Sequence, residues 1–351
     1  MLAPITYFIP AADVRRERLM PAGGRIIARR GQQVNPIEVV AESILEPQHI
    51  LLDISRGLGL PPKDADHYIQ RRAGDEVGEG DVIAGPIGIG RRVVRAPLSG
   101  TVVLAGGGQV LMELAGESTE LKAGYSGVIA DIVGDRGVVI EATGSLIQGV
   151  WGNGKINFGL LNLLAHAPDE PLTPGMMDVS LRGSVVMGGI CEDERVLSAA
   201  EDLPIRGMIL ASMDSALVPA AMQISYPLVL TEGFGKLPMN QDAFTILTSG
   251  SMRETSVLAE PWNRILNTRP EVVIALPEGA HAEVISESAR FAVGQKVRVI
   301  SPPYKSMVGT LTNLQAGLSV LPSGLRAQTA GVRFINGDVV QVPLTNLEVV
   351  G

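Results

Sequence analysis

Short apolar runs separated by glycines fill the chain from residue 74 to residue 154. Runs of this length that end at turn residues predict β-strands rather than helices. The strands predicted here are 82–84, 93–95, 100–104, 110–114, 127–133 and 138–141. Two more short strands, 25–28 and 38–41, precede them and are separated by a turn that contains glycine. We therefore expect the first third of the chain to be β-rich.

Two sequence patterns in this region each occur twice. Residues 31–41 (GQQVNPIEVVA) and 74–84 (GDEVGEGDVIA) place glycine, valine and a closing aliphatic-aliphatic-Ala run at the same offsets. Residues 95–102 (RAPLSGTV) and 122–129 (KAGYSGVI) share the pattern basic-Ala-x-x-Ser-Gly-x-aliphatic. Because internal repeats report architecture, they predict a barrel or sandwich that is built from duplicated hairpins.

The segment between the two copies of the first pattern has apolar residues at helical spacing instead of short strand-like runs. Apolar residues recur at helical spacing over 47–56, a segment followed by two glycines. A second segment, 62–72, begins with proline, which is favoured at the first position of a helix. We predict a helical insertion over 46–72 within a β-rich unit that spans residues 1–155.

A proline-rich stretch, 168–174, marks a predicted boundary, after which strand-length apolar runs alternate with helical segments. This alternation is typical of a parallel sheet covered by helices. We predict a small parallel α/β domain over residues 175–285. Its predicted strands are 184–187, 207–211, 227–230 and 272–276, and its predicted helices are 193–202, 216–224 and 240–247.

From residue 290 to the end, the pattern returns to strands and turns alone. The predicted strands are 297–300, 309–312, 331–335 and 339–342. A unit of this size is typical of a small β-barrel. The whole chain is therefore predicted to be a multidomain protein, β-rich with an α/β part.

Composition restricts the function classes. A chain of 351 residues exceeds what one hydrophobic core usually supports, so two or three domains are expected. The formal net charge of −8 argues against a general nucleic-acid coat. Residues 291–351 differ, since five basic and two acidic residues give this part +3.

Three sequence features bear on the cellular location: the cysteine content, the N-terminal segment and the longest apolar stretch. The single cysteine, Cys191, excludes an internal disulfide, fits a reducing compartment and is expected to be a buried, inert thiol. The apolar start, 1–12, has no preceding basic residue and contains a proline, so we interpret it as a first strand or arm. The longest uncharged, apolar-leaning stretch, 215–231, falls short of the roughly 20 apolar residues that span a bilayer. We expect a soluble, cytoplasmic protein with no membrane partner.

Residues 74–84 followed by 94–102 (VRAPLSGTV) resemble the biotinyl/lipoyl-like barrel-sandwich hybrid, and the resemblance covers residues 23 to 150. It implies a hairpin module whose turn carries a cofactor on lysine. The corresponding stretch here, 85–92 (GPIGIGRR), has no lysine, and a guanidinium is no acylatable amine. The resemblance therefore implies a duplicated barrel-sandwich hybrid without a cofactor.

Residues 297–311 (VRVISPPYKSMVGTL) resemble the KOW motif of ribosomal proteins and transcription elongation factors, although Ser306 stands where that family more often has glycine. The resemblance implies an SH3-like barrel over 290–351. It also implies contacts with RNA or with a protein partner, for which the candidate residues are Lys296, Arg298, Tyr304 and Lys305.

A ligand crevice is predicted at the carboxyl ends of the parallel strands, where helix N-termini and loop amides converge. The candidate residues there are Asp214, Glu232, Gly233 and Gly235. Caps and turns explain the same residue types equally well.

The sequence contains no recognisable catalytic motif, and its four histidines have no paired spacing that would indicate a metal site. We therefore predict no catalytic residue, metal or cofactor. The preferred hypothesis is a non-catalytic modular scaffold that binds a protein partner. The alternatives are an RNA- or translation-associated factor that acts through the KOW-like unit, and a small-molecule-binding protein or enzyme that uses the α/β crevice.

Overall fold

The computed structural model describes residues 2–21, 23–44, 48–88, 90–114, 118–263, 268–276, 282–284, 289–321 and 323–351. Strands form most of the regular structure, in several sheets, and no sheet of the described residues closes into a barrel. The expectation of a β-rich, multidomain chain is confirmed at this level.

The strands up to residue 152 are β1 (Leu2–Ala3), β2 (Ile5–Thr6), β3 (Phe8–Leu19), β4 (Arg25–Ile26), β5 (Gln33–Val34), β6 (Val39–Ile44), β7 (His49–Asp53), β8 (Glu76–Val77), β9 (Val82–Ile87), β10 (Arg92–Arg95), β11 (Gly100–Gly106), β12 (Gln109–Leu114), β13 (Ser118–Lys122), β14 (Gly127–Val133), β15 (Gly137–Gln148) and β16 (Trp151–Gly152). The later strands are β17 (Ile156–Leu163), β18 (Ser184–Cys191), β19 (Gly207–Met213), β20 (Leu228–Phe234), β21 (Glu254–Leu258), β22 (Glu271–Ala275), β23 (Glu283–Val284), β24 (Ala289–Arg290), β25 (Lys296–Val299), β26 (Val308–Leu314), β27 (Ser319–Val320), β28 (Arg326–Ala327), β29 (Thr329–Phe334), β30 (Val339–Pro343) and β31 (Leu347–Val350).

The described helices are short. The α-helices are α1 (Ile54–Leu58), α2 (Pro62–Ala65), α3 (Glu194–Asp202), α4 (Val218–Gln223) and α5 (Gln241–Ser249). The 3-10 helices are Asp66–Tyr68, Pro174–Met176, Val179–Leu181, Ser215–Leu217 and Leu344–Asn346. None of these helices is long and apolar enough to cross a membrane.

The doubled sequence patterns correspond to doubled structure. In one copy β14 pairs with β5, with Gly127 opposite Val34, and in the other β11 pairs with β8, with Gly100 opposite Val77. Glycine is required at both crossings, because an added Cβ would lie 2.2 Å from Glu141 O at Gly127 and 2.3 Å from Glu113 O at Gly100. The aliphatic residues of the repeat are buried in two separate cores, Val34, Val40 and Ile129 in one and Val77, Ile83 and Val102 in the other.

One copy is nested inside the other. In the inner copy β9 and β10 form an antiparallel hairpin. In the outer copy β6 and β13 pair in the same way, with Ile44 opposite Ser118, and the whole inner copy lies between them in sequence. Residues 48–114, which contain the inner copy, thus occupy the position of the outer copy's hairpin turn.

The prediction of a helical insertion over 46–72 is wrong in part. Residues 49–53, predicted as helix, form strand β7, which pairs along its full length with β12. The apolar spacing within residues 49–53 is compatible with a helix and with a strand. The long-range pairing with β12 stabilises the strand. Helix α1 follows directly, and Asp53 caps it through the backbone N–H of Arg56. Residues 69–72, predicted as the end of the second helix, are not helical, and residues 46–47 lie outside the described residues.

A central sheet runs in the order β16-β20-β19-β18-β17-β21-β22-β15-β14-β5. Strands β17 to β20 are mutually parallel, and the strands on either side of them are antiparallel. Helices α3 and α4 cover one face of the parallel strands and α5 covers the other, so alternate strand residues belong to two apolar cores. Strands β17 and β21 were not predicted, and β17 precedes the predicted domain start at residue 175.

The C-terminal sheet has the order β2-β31-β25-β26-β29-β30. Its four predicted strands are present as β25, β26, β29 and β30, with shifts of one or two residues at their ends. The chain start completes this sheet, since β2 pairs in parallel with β31. The next strand, β3, pairs with β15 of the central sheet. The N-terminal segment therefore ties the two sheets together.

Candidate functional site

A cleft of about 1110 Å³ lies where strand β3, the end of β20 and the C-terminal sheet meet. Its wall combines aromatic side chains with arginines and glutamates. Residues from positions 3 to 348 line it, so it depends on contacts between distant parts of the chain. This cleft is the candidate functional site, and charged groups form much of its wall.

Glu271, at the start of β22, is buried and is the centre of one polar network. Arg16 donates to it, with Nη2 2.9 Å from Oε1. The Tyr125 hydroxyl donates at 2.6 Å and the Gln148 amide at 2.7 Å. Burial alone would raise the pKa of Glu271, but the charge and hydrogen bonds of these partners lower it overall. The Glu271 carboxylate is therefore ionised, and both of its oxygens accept hydrogen bonds.

Arg298, on β25, joins two buried carboxylates from different sheets. It donates to Glu232 Oε2 at 2.7 Å and also binds Glu348 on β31. The second oxygen of Glu232 accepts the backbone N–H of Asn240 at 3.1 Å. Burial raises the pKa of Glu232 despite the neighbouring guanidinium. Both oxygens are occupied, so this carboxyl is a structural link rather than a free base.

Two further arginines complete the polar wall. Arg18 binds Glu260 through two parallel hydrogen bonds of 2.5 and 2.6 Å. Arg269 donates to the backbone carbonyl of Ile5 and the hydroxyl of Thr6, both at 2.8 Å. Its guanidinium also stacks on Trp262, with 4.7 Å between Cζ and the ring centroid. The two parallel hydrogen bonds between Arg18 and Glu260 hold both of these side chains in one geometry.

The aromatic part of the wall remains accessible. Trp262 is 38% exposed. Trp151 and Phe234 are partly buried and form an edge-to-face pair with ring centroids 5.7 Å apart. Accessible rings beside oriented charged groups are typical of binding sites.

The four residues predicted for the α/β crevice line two different pockets in the structure. Glu232 and Gly233 line the large cleft. Asp214 and Gly235 line a separate, smaller pocket with Glu192 and Lys236. Asp214 caps the following 3-10 helix by accepting from Ala216 N, which is the ordinary use of Asp after a strand.

The four residues predicted for RNA or partner contact lie in different surroundings. Arg298 is 3% exposed, which differs from the surface position that the RNA hypothesis gives it. Lys296 forms an ion pair with Asp242, and Tyr304 packs on Phe334 with ring centroids 5.5 Å apart. Lys305 is exposed and lines the large cleft. Of this set, Lys305 and Arg298 reach the candidate site.

Sequence reasoning missed Arg16, Arg18, Tyr125, Glu271 and Trp262. One signal was available, since Arg16 and Arg18 alternate with Arg15 and Glu17 in a segment that forms a twelve-residue strand. Charged residues on both faces of a strand indicate that even its inward side chains have polar partners. The partners themselves lie about 100 to 255 residues away and carry no local signal.

The described residues contain no group of three or more histidine, cysteine or acidic side chains that could hold a metal ion. Cys191 is buried, as expected, and burial raises its pKa to about 11. No protein-family model matches the chain, and no curated protein matches it in sequence.

Proposed function

We propose that this protein is a non-catalytic binding protein that engages a segment of a macromolecular partner in the large cleft. The observation that carries the proposal is the cleft itself, with accessible aromatic rings set among arginine-glutamate pairs. Its volume of about 1110 Å³ lies just above the usual range for small-molecule sites, ~300–1000 Å³.

The charged groups support binding rather than reaction. A general base needs an accessible lone pair and a pKa near the working pH. The carboxyls of Glu232 and Glu271 are instead buried and occupied by guanidinium and amide donors. Rigid, paired groups of this kind hold a surface in shape for a partner.

The module identities belong to the same proposal. We assign the nested copies to the lipoyl-like barrel-sandwich hybrids and the C-terminal sheet to the KOW-type SH3-like units. Two observations support a non-carrier role. The β9–β10 hairpin turn has no lysine, and the equivalent turn of the outer copy is replaced by the inner copy.

Affinity capture with the full chain tests the proposal. The wild type should retain a partner in stoichiometric amount from an extract of its native cells. Trp262→Ala should lose that partner, because the accessible ring provides contact area in the cleft. Tyr68→Ala is the matched control, since Tyr68 is an aromatic residue that is 41% exposed and does not line the cleft.

Capture of no stoichiometric partner by the wild type would contradict the proposal. Equal capture by wild type and Trp262→Ala would place the binding surface elsewhere. A parallel thermal-shift screen with nucleotides, acyl thioesters and organic acids covers small-molecule binding, because a ligand of the native state raises the melting temperature. A shift there that Trp262→Ala abolishes would favour a small-molecule function for the cleft.

A further inference from the structure

Among the described residues, one edge of strand β3 has no partner strand over half its length. On one side β3 pairs with β15 from Phe8 to Leu19. On its other side the described residues pair β3 with β23, at Ala12 and Asp13. From residue 14 to residue 19, no strand of the described residues covers this second edge.

The backbone groups at this edge can be assigned from strand periodicity. Met20 N donates to Arg136 O at 2.8 Å on the β15 side. Because N–H and C=O groups alternate in direction along a strand, those of Arg18 and Arg16 also face β15. Those of Arg15 and Glu17 face the open edge. In agreement, the Arg15 carbonyl accepts a side-chain hydrogen bond of 3.0 Å from Arg16 Nη1.

The large cleft follows this edge. Four consecutive residues, Arg15 to Arg18, all line it. Successive side chains of a strand point to opposite faces of the sheet. A cavity that is lined by all four must therefore lie along the strand's edge, beside the outward N–H and C=O groups of Arg15 and Glu17.

We propose that the partner segment is an extended peptide that adds to the central sheet as a strand along residues 14–19 of β3. The inference rests on the proposed binding function and names the chemistry of the partner. Strand addition supplies main-chain hydrogen bonds to an open edge and uses neighbouring pockets for alternate side chains. The edge already accepts one strand, β23, in parallel pairing at Ala12 and Asp13.

The side chains along the cleft define the peptide's composition. Trp262, Trp151 and Phe234 offer aromatic contact area for an apolar or aromatic residue. Two exposed cations line the cleft: Arg15, which pairs with Glu141, and Lys305, which has no ion pair among the described residues. An acidic residue in the peptide complements Lys305, so the expected ligand is an extended segment that carries at least one aromatic and one acidic residue.

The experiment uses the full chain and a phage-displayed library of linear dodecapeptides. Selection should enrich peptides with aromatic and acidic residues, whose affinities are then measured by fluorescence polarisation. Proline at position 17 removes the outward N–H without removing a ladder hydrogen bond, a position that edge strands tolerate. Glu17→Pro should bind about tenfold more weakly than Glu17→Ala, which reports the loss of the side chain alone.

Hydrogen exchange provides a second readout if Glu17→Pro folds poorly. A bound peptide should slow exchange at the amides of Arg15 and Glu17 in the wild type. The amides of Arg16 and Arg18 already face β15 and should change little. Absence of enriched peptides, equal affinity of the two variants, or no added protection at Arg15 and Glu17 would each overturn the inference. Capture of a folded partner that depends on Trp262 would, in those cases, leave the proposed function standing.

Discussion

Buried carboxylates in this protein act as fixed links because their donors surround them. Glu271 shows this most clearly, since Arg16, Tyr125 and Gln148 come from three separate segments and meet on one side chain. Charge-assisted hydrogen bonds in a dry environment are about twice as strong as neutral ones. The ionised carboxylate of Glu271 therefore helps to hold these three segments of the cleft wall together.

Glu271→Gln should lower the free energy of unfolding by about 2–4 kcal/mol at pH 7, because Arg16 loses its charged partner. The folded-state pKa of Glu271 lies below the ordinary 4.5. Its contribution is thus complete above pH ~4.5 and is lost as the pH falls through the folded-state value. Urea unfolding at pH 7 and pH 3 should show the difference between wild type and variant shrinking in acid.

Glu141→Gln is the matched control on β15, because Glu141 pairs with Arg15 at the surface. It should change stability by less than about 1 kcal/mol at either pH. A pH-independent difference for Glu271→Gln would contradict the ionised state of Glu271.

Cys191 should resist thiol reagents in the folded protein. Its pKa of about 11 leaves on the order of one thiol in a thousand ionised at pH 8, and the side chain is buried. Ellman's reagent should label the native chain very slowly and the chain in guanidinium chloride completely. Rapid labelling without denaturant would show that strand β18 opens.

At the level of the element, nested hairpins organise the first third of the chain. Each copy uses the same glycine crossing, at Gly100 and Gly127, and the same buried aliphatic positions in its own core. Because each core is formed within one copy, the inner copy contributes little to the packing of the outer one.

Replacement of residues 45–117 by Asn-Gly should therefore leave the outer copy folded. Ile44 and Ser118 lie opposite each other, so a two-residue turn can close the hairpin. Circular dichroism and a cooperative thermal transition should be retained, and the partner captured through the cleft should still bind. Loss of the cooperative transition would show that the outer copy needs the inner one.

At the level of the whole molecule, Arg298 connects the two large sheets. It reaches Glu232 from the central sheet and Glu348 from its own sheet, and its Cζ lies 5.7 Å from the ring centroid of Phe8. Loss of one partner in such a buried group leaves uncompensated charge, which is more damaging than loss of a surface pair.

Arg298→Ala should destabilise the protein by about 3–5 kcal/mol in urea unfolding. Lys296→Ala, two residues earlier on the same strand, is the control, since its pair with Asp242 is at the surface and is expected to contribute less than about 1 kcal/mol. Equal effects of the two substitutions would argue against a special role for the buried pair.

Sequence patterns were informative where structure is local or repeated. The repeats predicted the duplication, and Gly31 and Gly74 both adopt positive φ, at +79° and +93°. Strand β7 was mistaken for helix because its ladder partner lies about 60 residues away. The cleft was not predictable, since Glu232 and Arg298 were assigned to two separate sites and only the packing of the sheets brings them together.

During synthesis on the ribosome, nesting makes the inner copy available in full before the outer copy. Strands β3 to β6 emerge before the inner copy and are still without their partners when residues 48–114, which form their own core, leave the exit tunnel. The earlier strands find their partners only when β13 to β15 appear, and β3 becomes paired along its length at that moment. Until then the β15-facing edge of β3 is unpaired, and charged residues such as Arg16 and Arg18 on an unpaired strand oppose aggregation through that edge.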